Sequence, residues 1–478
     1  MSSDLDMYTG TLKYGDIDFS FAFDKNELRL IPPEDKRDVI EMEWKLVSIG
    51  NGTYTTADPI SVEEEYIIGT CNETKRRIIF LPKRGSYLSF CNSVVIIKLE
   101  AYIVCHYDES VIDRISLSCP EINYIHPVNS GFSYSFPPDG FDKEGVVSIT
   151  TEDFSTTTTE KQSFFVDKKE VRAYFGISRT VSTKIQKPPL SLESTLMFEF
   201  KATEDYSFIL KLWRIAKDFL SFLCYRKNVY IPTVKLATPF REGKHKHFAT
   251  MYLLTQDENA EPEVLENGRY IKQAYIAGHE GKILADIASN NIYLRHLPET
   301  YRSGRHIDAA RFVMITAAFE WEFKRIHPAG IKKSQKTIEA ENEVLKEIQK
   351  HIEASTGKKK KIYKFLFKLV QTDSLQEEVI RIGKDFNNII DILGNRLYSR
   401  NGQQLKYSEM GLRLSNQRNH FAHGDLDKDF IGLSLLDLVY LEYVIYAMQL
   451  KHYELDDVNI QKSINDLFKC GFMIKEKK

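Results

Sequence analysis

Residues 307–320, IDAARFVMITAAFE, decide the fold, because their apolar side chains recur with the 3.6-residue period of a half-buried helix. Pro328 and Gly330 follow and predict where this helix ends. Strand-like patterns precede the stretch and helical patterns follow it. We therefore expect the chain to change from β-rich to all-α near residue 300.

Helical patterns continue from residue 305 to residue 470. The helix that carries residues 418–424 is framed by apolar positions at roughly helical spacing, and Gly424 is a candidate for the residue just past its end. The other predicted helices are 336–355, 361–371, 375–397, 433–450 and 460–468. We expect residues 301–478 to form one helical bundle.

The first 200 residues are typical of strands. Ile, Val, Tyr, Phe and Thr are enriched in segments that Gly- and Pro-rich turns separate, and alternating polarity suits half-buried strands. An amphipathic helix at 206–225 and short strands near 229–234 and 248–254 follow. The predicted fold class is α+β: an antiparallel, sandwich-like region to about residue 200 and an α+β segment at 201–300 make a first domain, 1–300, before the helical domain.

Composition narrows the function classes. The chain has 478 residues and a net charge of −2, so any nucleic-acid surface must be local. Its six cysteines form no CxxC or His/Cys cluster, which favours a reducing compartment, and we expect no metal and no cofactor. The polar first residues and the charged interruptions of 433–450 predict neither a signal peptide nor a membrane span. We expect a cytoplasmic protein.

The segment RNHFAHG, residues 418–424, concentrates the chemistry. Arginine can hold a phosphate oxygen through a permanent charge, and histidine can move a proton near neutral pH. The Arg-x4-His spacing alone is common, since Arg241 with His247 and Arg413 with His420 also fit a spacing of this kind. The Arg241 match is predicted to lie in a loop that enters a strand. In the alternative interpretation, Arg418 caps a helix and His423 is an ordinary surface side chain.

A helical bundle with a long first helix, Arg-Asn-x-x-x-His late in the domain and an apolar helix after it resembles the HEPN superfamily of ribonucleases. With its β-rich N-terminal half, the whole chain resembles ApeA-like anti-phage HEPN proteins. The specific residues of this resemblance are Arg418–His423 and Ala318-Phe319-Glu320. The resemblance implies a metal-independent endoribonuclease that halts the growth of an infected cell. Its implied targets are tRNA or other structured RNA, and its implied trigger is a phage protein at the N-terminal domain.

In such an enzyme a ribose 2′-OH attacks the adjacent phosphate and leaves a 2′,3′-cyclic phosphate and a 5′-OH. His423 is the candidate base or acid, and Arg418 the candidate ligand of the non-bridging oxygens. Asn419 is a candidate for positioning the phosphate or the 2′-OH. For His420, a proton-carrying role and a structural role are both open. Glu320 either pairs with Arg418 or a histidine, or it is a solvated helix carboxylate.

The geometry of a helix predicts that a second copy of the chain completes the site. Five residues turn a helix by about 500°, so Arg418 and His423 should point about 140° apart and make a poor acid–base pair within one chain. We therefore expect a homodimer through the helical domain, with further assembly open. Five lysines form the dense cationic patch that could track RNA, although a solvated helix start would look the same: Lys358, Lys359, Lys360, Lys361 and Lys364.

Two other functions stay open at this stage. One is a catalytically silent, dimeric binding or sensor protein with a β-sandwich recognition domain. The other is a partner in nucleotidyl or AMP transfer, which would require a second enzyme. We find no phosphate-cradling Gly-rich loop, nucleophile elbow or HExxH motif in the sequence, which disfavours nucleotide hydrolysis, serine hydrolysis and zinc chemistry.

Overall fold

The computed structural model describes residues 5–50, 53–56, 58–135, 148–185, 187–254, 261–424 and 429–474. It divides into two compact units. The β-rich unit comprises Met1–Leu223, Lys227–Pro262 and Glu280–Ser289. The helical unit comprises Cys224–Arg226, Glu263–His279 and Asn290–Lys478, so two of its segments and the start of the third precede the division expected near residue 300.

The β-rich unit is built on one antiparallel sheet that closes on itself at its N-terminal end. Six strands form a ring because the long strand β9 pairs with β3 on one side and with β7 on the other. The first nine strands are β1 (Tyr8–Tyr14), β2 (Ile17–Phe23), β3 (Glu27–Ile31), β4 (Leu46–Gly50), β5 (Thr53–Thr56), β6 (Ile67–Cys71), β7 (Arg77–Pro82), β8 (Ser89–Cys91) and β9 (Val94–Cys105). The antiparallel, β-rich character is confirmed, but the strands close into a ring where the sequence predicted a sandwich.

Alternation explains the ring's core. In β1 and β2 every second side chain is buried, as expected for strands with one face turned to an apolar interior. Aromatic rings fill that interior, and Phe23 contacts both Phe80 and Tyr102 edge to face, with centroids 5.3 and 4.8 Å apart. The ring is therefore held by its side chains as well as by its ladders.

The sheet continues beyond β9 through a second group of strands. Their order is β13-β14-β15-β10-β16-β17, and β17 pairs with β9. A separate hairpin pairs β11 with β12. These strands are β10 (Ile112–Leu117), β11 (Phe132–Ser135), β12 (Ser148–Thr151), β13 (Gln162–Val166), β14 (Lys169–Val181), β15 (Leu190–Thr203), β16 (Thr233–Pro239) and β17 (His245–Leu253).

Among the described residues, four α-helices lie between strands: α1 (Arg37–Val39), α2 (Pro120–Ile125), α3 (Phe154–Thr157) and α4 (Tyr206–Cys224). Three more follow the last strand: α5 (Pro262–Glu266), α6 (Gln273–Ile276) and α7 (Glu280–Ala288). The predicted amphipathic helix at 206–225 is confirmed as α4. Its Phe208 ring contacts Phe200 of β15 at 5.3 Å, so its apolar face covers the sheet.

The helical unit contains the long helices that the sequence predicted after residue 305, and its helical character is confirmed. Its later helices are α8 (Tyr301–Gly304), α9 (Ala309–Ile326), α10 (Gln335–Glu353), α11 (Gly357–Val370), α12 (Leu375–Asp385), α13 (Asn387–Arg400), α14 (Tyr407–Ala422), α15 (Ser434–His452) and α16 (Asp457–Phe468). The helix over 307–320 begins at its N-cap Asp308, whose carboxylate accepts a hydrogen bond from the Arg311 amide at 2.7 Å.

The prediction of one helix over 375–397 was wrong. The chain leaves helical geometry at Phe386 (φ −114°, ψ 11°), and α13 starts at Asn387. The Phe386 ring is buried, and two asparagines, which favour helix starts over helix interiors, come next. Tertiary burial of one ring therefore overrides the continuous apolar period.

The core of the helical unit forms around α15. Its residues from Tyr440 to Leu450 are all buried, which explains why this stretch is apolar on every side without being a membrane helix. Helices α9, α13, α14 and α16 pack against it. The motif helix α14 is thus held between α15, α9 and α12.

Candidate functional site

The motif segment ends helix α14. His423 is the C-cap, and its backbone amide donates to the Asn419 carbonyl at 3.1 Å. Gly424 adopts φ +89°, a conformation that costs a side chain with a Cβ far more than it costs glycine. The predicted helix end at Gly424 is therefore confirmed. Asp425 and Asp427, which could orient a ring of the motif, lie outside the described residues.

Arg418 is paired with the first long helix of the unit. One terminal nitrogen of its guanidinium, Nη2, donates to both carboxylate oxygens of Glu320 on α9, at 2.7 and 2.8 Å. The Arg418 side chain is 34% exposed and that of Glu320 is 21% exposed. Of the two readings of Glu320, the structure has the ion pair. About a third of the Arg418 side chain stays open to solvent.

A second carboxyl group lies near this pair, and the sequence did not single it out. Glu378 on α12 is buried, and its Oε2 atom has no hydrogen-bond partner within the described part of the chain. Burial first, and then the Glu320 carboxylate, raises the pKa of Glu378 to about 8, although Lys324 and Arg418 act in the opposite direction. Glu378 is therefore a largely protonated acid at neutral pH.

A sequence signal for Glu378 does exist. It occupies the apolar register of its helix, three residues after Leu375 and four before Ile382, both buried. A carboxyl group in that register must either be paired or hold its proton. Helix α12 can bring it close to the site because Gly411 of α14 lets the helices touch: a Cβ there would lie 2.9 Å from the Gln376 Cα.

Other contacts fix the end of α14. The Phe421 ring is buried and contacts the rings of Phe312 and Phe430 edge to face and at 5.5 Å from each. Gln417, fully buried, accepts a hydrogen bond from the Ile431 amide at 2.7 Å. Phe430 and Ile431 are thereby tied to the end of α14, and Gln417 and Phe421 anchor its last turns.

The four motif side chains have different surroundings. Arg418 turns towards α9, Asn419 and His423 are exposed, and His420 is partly buried. What one chain offers is a guanidinium held by a carboxylate and an exposed imidazole at the adjoining helix end.

The lysine patch lies on helix α11, which begins four residues earlier than predicted. Lys358, Lys359, Lys361 and Lys364 are exposed and Lys360 is partly buried. Tyr363, which lies among these lysines in the sequence, stacks on His351 with ring centroids 4.9 Å apart.

The two competing Arg/His matches are explained without catalysis. Arg413 binds Asp437 through two hydrogen bonds of 2.6 and 2.8 Å, and Asp437 is fully buried. Arg241 lies in a short turn before β17, as predicted, and His247 lies on that strand. Arg418 thus differs from Arg413 in both partner and exposure.

Within the described ranges, no group of three or more His, Cys, Asp or Glu side chains is placed to hold a metal ion. Of the helices that the structure describes, none combines the length and apolarity needed to cross a bilayer. Comparison with family models, with curated proteins and with solved structures finds no match to this chain.

The raised pKa of Glu378 predicts how the stability of the chain depends on pH. The folded chain binds the Glu378 proton more tightly than the unfolded chain, so the free energy of unfolding should fall as pH rises from about 4.5 to about 8. This decrease in the free energy of unfolding should be on the order of a few kcal/mol, and Glu378→Gln should abolish it. Urea unfolding of the helical signal at pH 5 and pH 9 measures it. Glu343→Gln, at an exposed carboxylate of α10, is the matched control, and an equal effect of both changes would contradict the assignment.

Proposed function

We propose that this chain is a metal-independent endoribonuclease that uses Arg418 and His423 and acts in anti-phage defence. The observation that carries the proposal is the end of α14, where a partly exposed guanidinium and an exposed imidazole lie five residues apart on a rigidly held turn. The resemblance to ApeA-like HEPN proteins supplies the reaction class and the biological setting. By the same resemblance, the β-rich unit would receive a phage protein as trigger.

The reaction needs three things from the protein. A base takes the proton of the 2′-OH while its oxygen forms a bond to phosphorus, an acid protonates the 5′-oxygen as its bond to phosphorus breaks, and a cation stabilises the charge on the non-bridging oxygens. Imidazole suits the proton transfers, for which a positioned group contributes about 10²–10⁴-fold in rate. Arg418 suits the third requirement, with Asn419 orienting the phosphate or the 2′-OH and His420 as the second proton carrier.

Glu320 has a positioning role in this proposal. It holds one terminal nitrogen of Arg418 and leaves the other donors of the guanidinium for a phosphate. Because the pair is partly exposed, an arriving phosphate can compete for the same cation. The ion pair would therefore orient Arg418 and still let its guanidinium bind a phosphate.

A homodimer would complete the site, and the hairpin of α10 and α11 supports one. Within the described residues α11 buries no side chain, although it carries several large apolar ones. Its six lysines and no acid contrast with five acids and three lysines on α10, so two such hairpins are complementary in charge when each α11 faces the partner's α10. The exposed apolar side chains are Ile338, Val344, Ile362, Phe365, Leu366 and Leu369.

Two readouts on the same RNA test the function and the shared site. Wild-type chain incubated with total RNA in a chelator should produce ends that carry a 5′-OH and a 2′,3′-cyclic phosphate. His423→Ala and Arg418→Ala should each lose nearly all activity, and mixing them should restore about a quarter to a half of the wild-type rate if each site takes residues from both chains.

The outcomes separate the two claims. New ends with a 5′-phosphate, or no new ends under any condition, would remove the nuclease assignment. Full activity of the wild type with no recovery in the mixture would keep the nuclease and remove the shared site. Sedimentation of the same samples at assay concentration must show dimers for the mixture to be interpreted.

A further inference from the structure

A second concave site lies in the helical unit, formed by elements that take no part in the motif. It has a volume of about 480 Å³, within the range of small-molecule sites. Its walls come from α5, the turn after it, α8 and the end of α16. The lining residues are Glu263, Val264, Asn267, Arg269, Tyr301, Arg302, Arg305 and Lys469.

Positive charge dominates this pocket. Four of its lining side chains are cations and one is a carboxylate, in a chain whose net charge is −2. The carboxylate, Glu263, lies 3.5 Å from Arg302, and both are largely exposed, so this pair compensates little charge. In the described part of the chain, no carboxylate lies within ion-pair distance of Arg269, Arg305 or Lys469.

Two of the four cations have contacts that position them. The Arg269 guanidinium lies 4.6 Å from the centre of the Tyr301 ring, a cation–π contact that holds the group beside the ring. Lys469 caps α16 in a left-handed backbone conformation, with φ 54°. A Cβ on Gly268 would lie 3.0 Å from the Lys469 ammonium, so glycine leaves that ammonium its space. Burial lowers the pKa of Lys469, Asp466 acts in the opposite direction, and Arg269 and Lys272 add to the lowering.

Like charges held together are unfavourable until an anion joins them. Arginine binds phosphate oxygens through paired donors, and lysine through a point charge. A guanidinium plane supported by a tyrosine is also a surface on which a nucleobase stacks. We propose that this pocket binds a free nucleotide polyphosphate, with its phosphates on Arg302, Arg305 and Lys469 and its base on Arg269. The site is independent of the nuclease chemistry.

Calorimetric titration of the full chain with ATP and GTP tests the proposal. The chain carries Arg418→Ala and His423→Ala in every sample, so the result does not depend on cleavage. Saturable binding is expected, and Arg305→Gln with Lys469→Gln should weaken it by at least about tenfold. Lys13→Gln with Lys201→Gln removes two exposed charges from the β-rich unit and should leave binding unchanged. Equal weakening in both pairs would reduce the effect to general charge and overturn the site.

Two further arms identify the ligand chemistry. Inorganic tripolyphosphate should compete with ATP, whereas adenosine alone should not bind. Arg269→Lys keeps the positive charge but removes the planar guanidinium. It should therefore weaken the binding of ATP more than the binding of tripolyphosphate. An RNA oligonucleotide that binds here and that ATP fails to displace would overturn the small-molecule assignment, as would no nucleotide binding at millimolar concentration. Thermal unfolding of each variant shows that it is folded, and Arg305 is exposed, so its replacement should not disturb packing.

Discussion

Arg418→Ala is expected to slow RNA cleavage by about 10²–10³-fold, the usual effect of removing one preorganised donor to a developing oxyanion. The guanidinium is a partly exposed cation at the motif, and alanine leaves nothing that can reach the non-bridging oxygens. Initial rates of 5′-OH formation on a defined RNA measure the loss. The cleavage rate of Arg418→Lys should lie between those of the wild type and Arg418→Ala. Lysine keeps the positive charge but lacks the paired N–H donors of the guanidinium.

Glu320→Gln is the control for Arg418. It removes the charge of the carboxylate that holds Arg418 and leaves the guanidinium in the chain. If the phosphate contact is what matters, this variant should lose far less than Arg418→Ala, because Glu320 and phosphate compete for one cation. A loss as large as that of Arg418→Ala would show that the ion pair itself carries the effect, and the phosphate role would fail.

Local features of the fold and the site were readable in the sequence. The apolar period identified α9 and α14, and a continuous apolar run identified α15, because the sequence of a helix shows which of its faces are buried. Gly424 predicted the end of α14, because few residues other than glycine adopt a positive φ without strain. Both features depend on neighbours a few positions away, which is the distance over which single-sequence patterns carry information.

Features that depend on distant residues were not readable. The ring closes because β9 pairs with β3 and β7 at once, and alternation in β9 says which face is buried but not which strands lie beside it. The apolar register of α12 marks Glu378 as unusual, but its raised pKa also depends on Glu320 of α9, which the sequence does not place beside it. The break at Phe386 coincides with burial of its ring, and the local signal of the two asparagines after it was outweighed by the continuous apolar period.

Arg413→Ala is expected to lower the free energy of unfolding of the helical unit by about 3–5 kcal/mol, the usual cost of leaving a buried charge without its partner. Asp437 is fully buried, and its carboxylate accepts hydrogen bonds from Arg413 and from the hydroxyl of Tyr398. Without the guanidinium the carboxylate must take up a proton or admit water. Urea unfolding followed through the helical signal at pH 7 measures the change.

The matched control is the other arginine of the same helix. Arg418 and Glu320 are 34% and 21% exposed, and pairs of this kind contribute about 0–1 kcal/mol, so Arg418→Ala should leave the unfolding transition nearly in place. Adding Asp437→Asn to Arg413→Ala should recover part of the lost stability, because the buried group is then neutral. If Arg413→Ala unfolds at the wild-type urea concentration, or if Asp437→Asn recovers nothing, the buried ion pair is not what holds α14 to α15. The assignment of Arg413 to stability and of Arg418 to RNA cleavage would then lose its support.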